Sequence, residues 1–163
     1  MARVGFGYDS HRFAADRPLV LGGVRIGEAG GLAGHSDADA VLHAVTDAIL
    51  GALAAGDIGE HFPDTDPRWK DADSGAFVAE AVRLAGERGL AVGNCDVTVL
   101  AEAPRLGPHK DAMRQNIAGL LGVGAQRVSV KAKTGEGMGF VGRGEGIAAM
   151  AAVLLNEREG NDA

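Results

Sequence analysis

The segment Arg3-Val4-Gly5-Phe6-Gly7-Tyr8-Asp9-Ser10-His11 decides how the chain is read. Its residues alternate, with Val4, Phe6 and Tyr8 on one side and Gly5, Gly7, Asp9 and His11 on the other, which is the two-residue period of a β-strand. One face of this strand is apolar, while the other starts small and ends polar. Because Asp9 and His11 lie two apart on a strand, both side chains point the same way and can share one ion.

Working outward, Leu19–Leu21 and residues 24–26 flank Gly22-Gly23, the signature of a two-residue hairpin turn, so a small peripheral ribbon is expected. Over residues 37–55, Val41, Val45, Ile49 and Leu53 recur every four positions, and Leu42 with Leu50 widens the stripe, which predicts a helix. Ser36 followed three residues later by Asp39 resembles a capping box at its start. Residues 58–70 contain two prolines and the run Phe62-Pro63-Asp64-Thr65-Asp66-Pro67, which predicts a long irregular loop of the kind that carries function.

A second helix is expected over about 74–88, stopped by Gly89, then a strand over 90–100, a helix over 108–121 ended by Gly122, and a strand over 127–134. Residues 144–155 fit either state: their alanine content favours helix, and Ile147, Ala149, Ala151 and Val153 fit one face of a strand. This order predicts an α/β fold, a two-layer α+β sandwich with helices on one face of the sheet. The other face then needs a cover, and self-association is one solution.

The 163 residues fit a single domain, placed at 1–157, with residues 158–163 as a polar C-terminal tail within the polar stretch that starts at Asn156. The chain contains no apolar run long enough to span a bilayer and no secretory signal, so a soluble, cytoplasmic protein without a membrane partner is expected. Cys95, the single cysteine, excludes an internal disulfide and a cysteine-based zinc cluster, leaving His and carboxylates as ligands. A formal net charge of −6 argues against nucleic acid as partner. With aromatic residues at 4% and 26 glycines, the core must rest on Ala, Val, Leu and Ile.

His43 sits at the edge of the helical stripe, where its imidazole can lean towards Asp9 and His11. One carboxylate and two imidazoles with an open fourth position is an arrangement used by catalytic zinc sites. Asp39 and Asp47, four residues either side of His43, offer a carboxylate to orient that imidazole from behind. His35-Ser36 stands at the helix start, where free amides and the helix dipole favour phosphate. Asp57, Asp64 and Asp66 could accept hydrogen bonds from polyol hydroxyls or simply shape turns. Lys133-Thr134-Gly135-Glu136 offers a cation, a hydroxyl and a carboxylate suited to a harder metal such as Mg²⁺.

Asp9-Ser10-His11, the run His35-Ser36-Asp37-Ala38-Asp39-Ala40-Val41-Leu42-His43-Ala44, Gly56-Asp57-Ile58-Gly59 and Phe62 to Pro67 together resemble one family. Lys131-Ala132-Lys133-Thr134, Glu136 and Gly139-Phe140-Val141-Gly142-Arg143-Gly144-Glu145-Gly146 join them, in order and over nearly the whole chain. That family is 2-C-methyl-D-erythritol 2,4-cyclodiphosphate synthase, of the non-mevalonate isoprenoid pathway. The resemblance implies a mainly four-stranded mixed sheet, resolves 144–155 as a strand, and implies a homotrimer around a central cavity with active sites between subunits. It further implies a cytidine diphosphate-linked substrate, 4-diphosphocytidyl-2-C-methyl-D-erythritol 2-phosphate, closed to the cyclic diphosphate with release of CMP. Zn²⁺ would be held by Asp9, His11 and His43, and a Mg²⁺ or Mn²⁺ by Glu136.

By the same resemblance His35 and Thr134 stabilise the transition state, and Ser10, Ser36 and Lys133 lie beside them as substrate contacts. Asp57, Ile58 and Gly59, with Phe62, Pro63, Asp64, Thr65 and Asp66, would bind the polyol. Ala101, Glu102, Ala103, Pro104, Arg105, Leu106 and Gly107, with Lys133 to Glu136, would form the cytidine pocket. Phe140 and Arg143 would meet substrate, or in the arginine's case an isoprenoid diphosphate in the trimer cavity; Arg143 could otherwise pair with Glu145. His61 and His109 are expected to be surface or loop residues.

Two positions depart from the family pattern: Ser10 replaces an apolar residue, and Gly135 stands where Thr or Asn is usual, which removes a side-chain contact and is expected to loosen that loop. No fused cytidylyltransferase domain is evident, so one activity is expected. A zinc-dependent phosphoester hydrolase and a non-catalytic trimeric isoprenoid-binding protein are the alternatives for the same triad.

Overall fold

A computed structural model describes residues 1–27 and 30–158, and the described chain builds two layers. In chain order the elements are β1 (Ala2–Ala14), β2 (Leu19–Leu21), β3 (Val24–Gly27), β4 (Gly31–Leu32), α1 (Ala40–Ala52), α2 (Ile58–His61) and α3 (Gly75–Glu87). They continue with β5 (Leu90–Leu100), α4 (Lys110–Leu121), β6 (Val128–Lys133), α5 (Gly139–Gly142) and β7 (Gly146–Glu157). The sheet runs β4-β1-β7-β5-β6, with β5 and β6 parallel and the remaining pairs antiparallel. It is therefore mixed and five-stranded rather than four-stranded, the fifth strand being the two-residue β4 on the edge of β1.

The two faces of β1 do the reverse of what hydrophobicity suggests. Val4, Phe6 and Tyr8 are 73%, 64% and 47% exposed, whereas Gly5 and Gly7 are buried beneath α1. A Cβ on Gly5 would lie 1.8 Å from the Ala48 carbonyl oxygen, and one on Gly7 2.0 Å from that of Ala44. The glycines thus let helix backbone rest on strand backbone, a close approach only a missing side chain permits. Neighbouring strands extend the open apolar patch, since Tyr8 pairs with Met150, Phe6 with Ala152 and Val4 with Leu154. The expectation of one uncovered face holds.

On the covered face, Val41, Val45 and Ile49 of α1 pack with Val97, Val99, Ile147 and Val153 in one continuous core. Cys95 belongs to that core, and burial pushes its thiol up to about 12, so it carries no nucleophilic role near neutral pH. Within the ambiguous segment 144–155, residues from Gly146 onward are strand, because their alternating row lies between β1 and β5 and pairs on both sides, while Gly144 and Glu145 form the turn before it. β7 runs on to Glu157, so the polar stretch from Asn156 is paired before it leaves the sheet; residues 159–163 lie outside the described residues.

Helix boundaries shift for reasons of capping. α1 starts at Ala40, not near residue 37, because Asp39 is its N-cap and accepts from Val41 N and Leu42 N. The Ser36–Asp39 capping box does not form. Asp39 also accepts from Gly22 N at 2.9 Å and Gly23 N at 2.6 Å, so one carboxylate fastens the β2–β3 hairpin to the helix start. The loop after α1 is less irregular than expected: α2 forms one helical turn, and a 3₁₀ turn spans Pro67–Trp69. α4 starts at Lys110 after a 3₁₀ turn at Gly107–His109. No described helix is long and apolar enough to cross a membrane.

Asp39 supports a pH prediction. Complete burial raises its carboxyl to about 6, against the downward pull of the backbone N–H groups it accepts from. Because the folded value lies above the unfolded one, the native state keeps a proton that the unfolded chain releases, and this contribution falls as pH rises from about 4 to about 6. Urea titrations of the wild type and Asp39→Asn should differ in slope over that window, the wild type losing about 3 kcal/mol more. Parallel curves for the two proteins would refute the assignment.

Candidate metal and phosphate site

The triad assembles where α1 crosses the end of β1. Asp9 and His11 project from the strand on the helix side, and His43 reaches them from the first turn of α1, next to Ala44, whose carbonyl rests on Gly7. His43 Nδ1 lies 2.9 Å from Asp9 Oδ2 and 3.1 Å from His11 Nε2, and Asp9 Oδ2 lies 2.8 Å from His11 Nε2. One ligand atom from each falls within 4.8 Å of the others, the grouping a metal ion needs.

Electrostatics agree with a cation site. Burial pushes the Asp9 carboxyl up, but hydrogen bonds and charge from His11 and His43 more than reverse this, holding it well below the usual carboxylate range. For His11, burial works downward, and the Asp9 carboxylate with the Ala33 carbonyl outweighs it, so its pKa is raised. A negative charge thus persists at the centre, the condition for holding a cation.

The triad forms the floor of a cavity of about 370 Å³, lined further by His35, Ser36, Ile58, Gly59, Phe62, Pro63 and Asp64. Trp69 and Phe77 also line it, and neither stood out in the sequence. Phe77 stacks on Phe62 with centroids 4.5 Å apart and lies 5.9 Å from the His43 ring, so an aromatic wall runs from the metal ligand to the loop. That wall packs the proline-bearing loop, through Phe62 and Trp69, against Phe77 of α3.

Other expected contacts are placed elsewhere. Asp57 caps α2 through Glu60 N, and Asp66 caps the 3₁₀ turn and pairs with Arg68 at 2.6 Å. Strand alternation turns Ser10 to the opposite face, into a smaller cavity of about 200 Å³ with Phe140 and Glu145. Neither Asp39 nor Asp47 orients His43, because Asp39 is occupied by backbone amides and Asp47 accepts from Ile58 N at 2.7 Å. His35 Nε2–H donates to the Asp66 carbonyl at 3.3 Å, and Arg17 donates to the carbonyls of Gly34 and Ser36, bracing the His35-Ser36 loop.

A second cavity, of about 340 Å³, collects Ala101, Glu102, Pro104, Arg105, Leu106, Gly107, Lys133 and Thr134, most of the expected cytidine segment. Glu102 Oε2 accepts from Gly135 N at 2.9 Å. Gly135 does not loosen this loop: a Cβ there would lie 2.7 Å from Gly142 N and 2.9 Å from the Met138 carbonyl oxygen, so glycine permits tight packing. Glu136 has a left-handed backbone, φ 52°, and faces Thr134 Oγ1 at 3.3 Å rather than another carboxylate. Arg143 pairs with Glu145 at 2.6 Å. The row Ser10, Ala148, Leu100, Lys133 puts this second cavity three strand spacings from β1, about 14 Å. Within one chain the two cavities share no residue.

Residues 2–156 match the model of the YgbB family. The chain is 58% identical over 153 residues to a 2-C-methyl-D-erythritol 2,4-cyclodiphosphate synthase of Xanthomonas oryzae pv. oryzae, covering 94% of each. Among solved structures it resembles 2C-methyl-D-erythritol-2,4-cyclodiphosphate synthase in a CDP-bound form, at 41% identity and a TM-score of 0.87, covering 94% of this chain and all of that one. It also resembles the IspF–CDP complex of Plasmodium falciparum, at 33% identity and a TM-score of 0.84, with 97% of each chain covered.

Proposed function

The chain belongs to the YgbB family, and from that membership we infer that it closes 4-diphosphocytidyl-2-C-methyl-D-erythritol 2-phosphate into 2-C-methyl-D-erythritol 2,4-cyclodiphosphate and releases CMP. The observation that carries the reading is the convergence of Asp9, His11 and His43 on the floor of a cavity that His35 and Ser36 flank.

The donor set fits Zn²⁺: one carboxylate oxygen and two imidazole nitrogens, each ring bonded through its other nitrogen to an acceptor behind it. When bound, Zn²⁺ supplies a Lewis acid for the β-phosphate oxygen. The chain's own residues do the positioning. Asp9, His11 and His43 fix the point at which that phosphate sits. His35 donates to its oxygens with Ser36 beside it as a substrate contact, while Ile58, Gly59, Phe62, Pro63 and Asp64 hold the erythritol. The substrate's 2-phosphate oxygen forms a bond to the β-phosphorus as the bond to the CMP oxygen breaks, so no water enters and catalysis is mostly orientation and charge stabilisation.

The second cavity suits the cytidine: the backbone of residues 103–106 offers hydrogen bonds to the base edge, and Arg105 and Lys133 meet phosphate. Glu136 would hold Mg²⁺ or Mn²⁺ beside the Thr134 hydroxyl, where departing charge accumulates. That the two cavities share no residue, with Lys133 about 14 Å across the sheet from Ser10 on β1, supports a site completed by a neighbouring copy. A trimer packing Val4, Phe6 and Tyr8 around a central cavity would cover the open sheet face, with Phe140 as a substrate contact and Arg143 as a contact for substrate or for an isoprenoid diphosphate in that cavity.

Phosphorus NMR of the purified protein with substrate, Zn²⁺ and Mg²⁺ tests the reaction. A cyclic diphosphate with stoichiometric CMP is expected. Linear phosphates formed by water would replace this reading with a zinc-dependent hydrolase, and an unchanged substrate spectrum with a metal-loaded trimer would favour a non-catalytic binding protein.

A further inference from the structure

Both imidazoles of the triad are fixed from behind, but by different means. His11 Nδ1–H donates to the Ala33 carbonyl at 2.7 Å, a backbone acceptor that no substitution removes. Behind His43 stand two hydroxyls, Ser74 Oγ at 2.8 Å and Ser36 Oγ at 3.1 Å from Nε2. A hydroxyl can accept from an imidazole nitrogen or donate to it, and the choice decides which nitrogen is free to bind a metal.

For Ser74 that choice is made by Asp37. The Ser74 hydroxyl donates to Asp37 Oδ1, and Asp37 Oδ2 accepts from Ser74 N at 3.1 Å. With its proton committed to a carboxylate, Ser74 Oγ has only lone pairs to offer, so His43 holds a proton on Nε2, and Nδ1, which faces Asp9 Oδ2 at 2.9 Å and His11 Nε2 at 3.1 Å, is the nitrogen that gives up its proton to a metal. The position of Ser74 makes the commitment distinctive. It is the N-cap residue of α3, where a serine oxygen ordinarily accepts from the helix amides, yet it makes no capping bond; Asp73 accepts from Gly75 N instead. Ser74 is completely buried, so no solvent competes for its hydroxyl.

We propose that Ser74, polarised by Asp37, is the positioning residue that sets the His43 tautomer and aims Nδ1 at the metal. The proposal rests on the reading of the triad as a metal site and adds a device that couples it to the start of α3.

The test measures zinc affinity by competition with a chromophoric chelator, alongside thermal unfolding. Ser74→Ala is expected to weaken zinc binding about 10- to 100-fold, the usual cost of losing a partner behind a ligand. Asp37→Asn, which keeps the volume but no longer obliges Ser74 to donate, should weaken it in the same direction, and serves if Ser74→Ala fails to fold. Asp73→Ala removes only the capping bond of α3 and should lower the melting temperature while leaving zinc affinity unchanged. Nitrogen-15 histidine spectra of the zinc-loaded wild type should place the His43 proton on Nε2. Zinc affinity within twofold of wild type in a folded Ser74→Ala or Asp37→Asn protein, equal weakening by Asp73→Ala, or a zinc-loaded protein with the His43 proton on Nδ1 would overturn the proposal. If His43→Ala itself retains wild-type zinc affinity, the metal reading fails instead.

Discussion

Changing His43 to alanine is expected to abolish tight zinc binding and to lower CMP release by roughly a thousandfold or more, because several kcal/mol of charge stabilisation depend on the metal it holds. Two ligands would remain on β1, but Asp9 and His11 alone form an open site with no fold-imposed third arm. The variant should stay folded. His43 contributes one ring packed against Phe77 at 5.9 Å, and its removal leaves the apolar stripe of α1 intact. Circular dichroism melts, zinc titration and CMP assays on the same preparation separate the effects. Wild-type CMP release from a folded, zinc-deficient variant would remove the triad from the mechanism.

The second large effect is expected at Gly7, which binds nothing. A methyl group there would sit 2.0 Å from the Ala44 carbonyl oxygen and 2.8 Å from Ala48 N, both backbone atoms that cannot rotate away. Helix α1 must lift off β1, and Gly7→Ala should cost roughly 3–5 kcal/mol, at the severe end for a single substitution. Ala44 follows His43, so the same displacement draws His43 away from Asp9, and zinc affinity should fall with stability. Gly119→Ala is the contrast: that glycine lies in α4 with open space around its Cβ position, and alanine there should stabilise by up to about 1 kcal/mol. Denaturant midpoints measure both, and a Gly7→Ala protein as stable as wild type would mean that α1 does not rest on the strand as described.

Much of the fold could be read from periodicity. The strand over 90–100 and the α3 and α4 stops at Gly89 and Gly122 follow from local chemistry, since both glycines adopt left-handed backbone that other residues avoid. What local chemistry could not settle was competition for hydrogen-bonding groups. Asp39 could serve as third residue of a capping box or as the cap itself, and the β2–β3 hairpin decided it by supplying two more donors to the same carboxylate. Asp47 and Asp39 sit one helical turn from His43 and yet leave it to Ser74, which is 31 residues away.

By itself the sequence determined the strand alternation that points Asp9 and His11 the same way, the helix that carries His43, and the motifs that place the chain in its family, because these depend on neighbours within a few residues. The tertiary structure alone decided which face of β1 is buried. Glycines meet the helix and Val4, Phe6 and Tyr8 meet solvent, since the close approach of α1 to the strand excludes side chains from the side it covers. It also decided which hydroxyl stands behind His43, because that contact is made between the start of α3 and the first turn of α1, elements whose sequences carry no mark of each other.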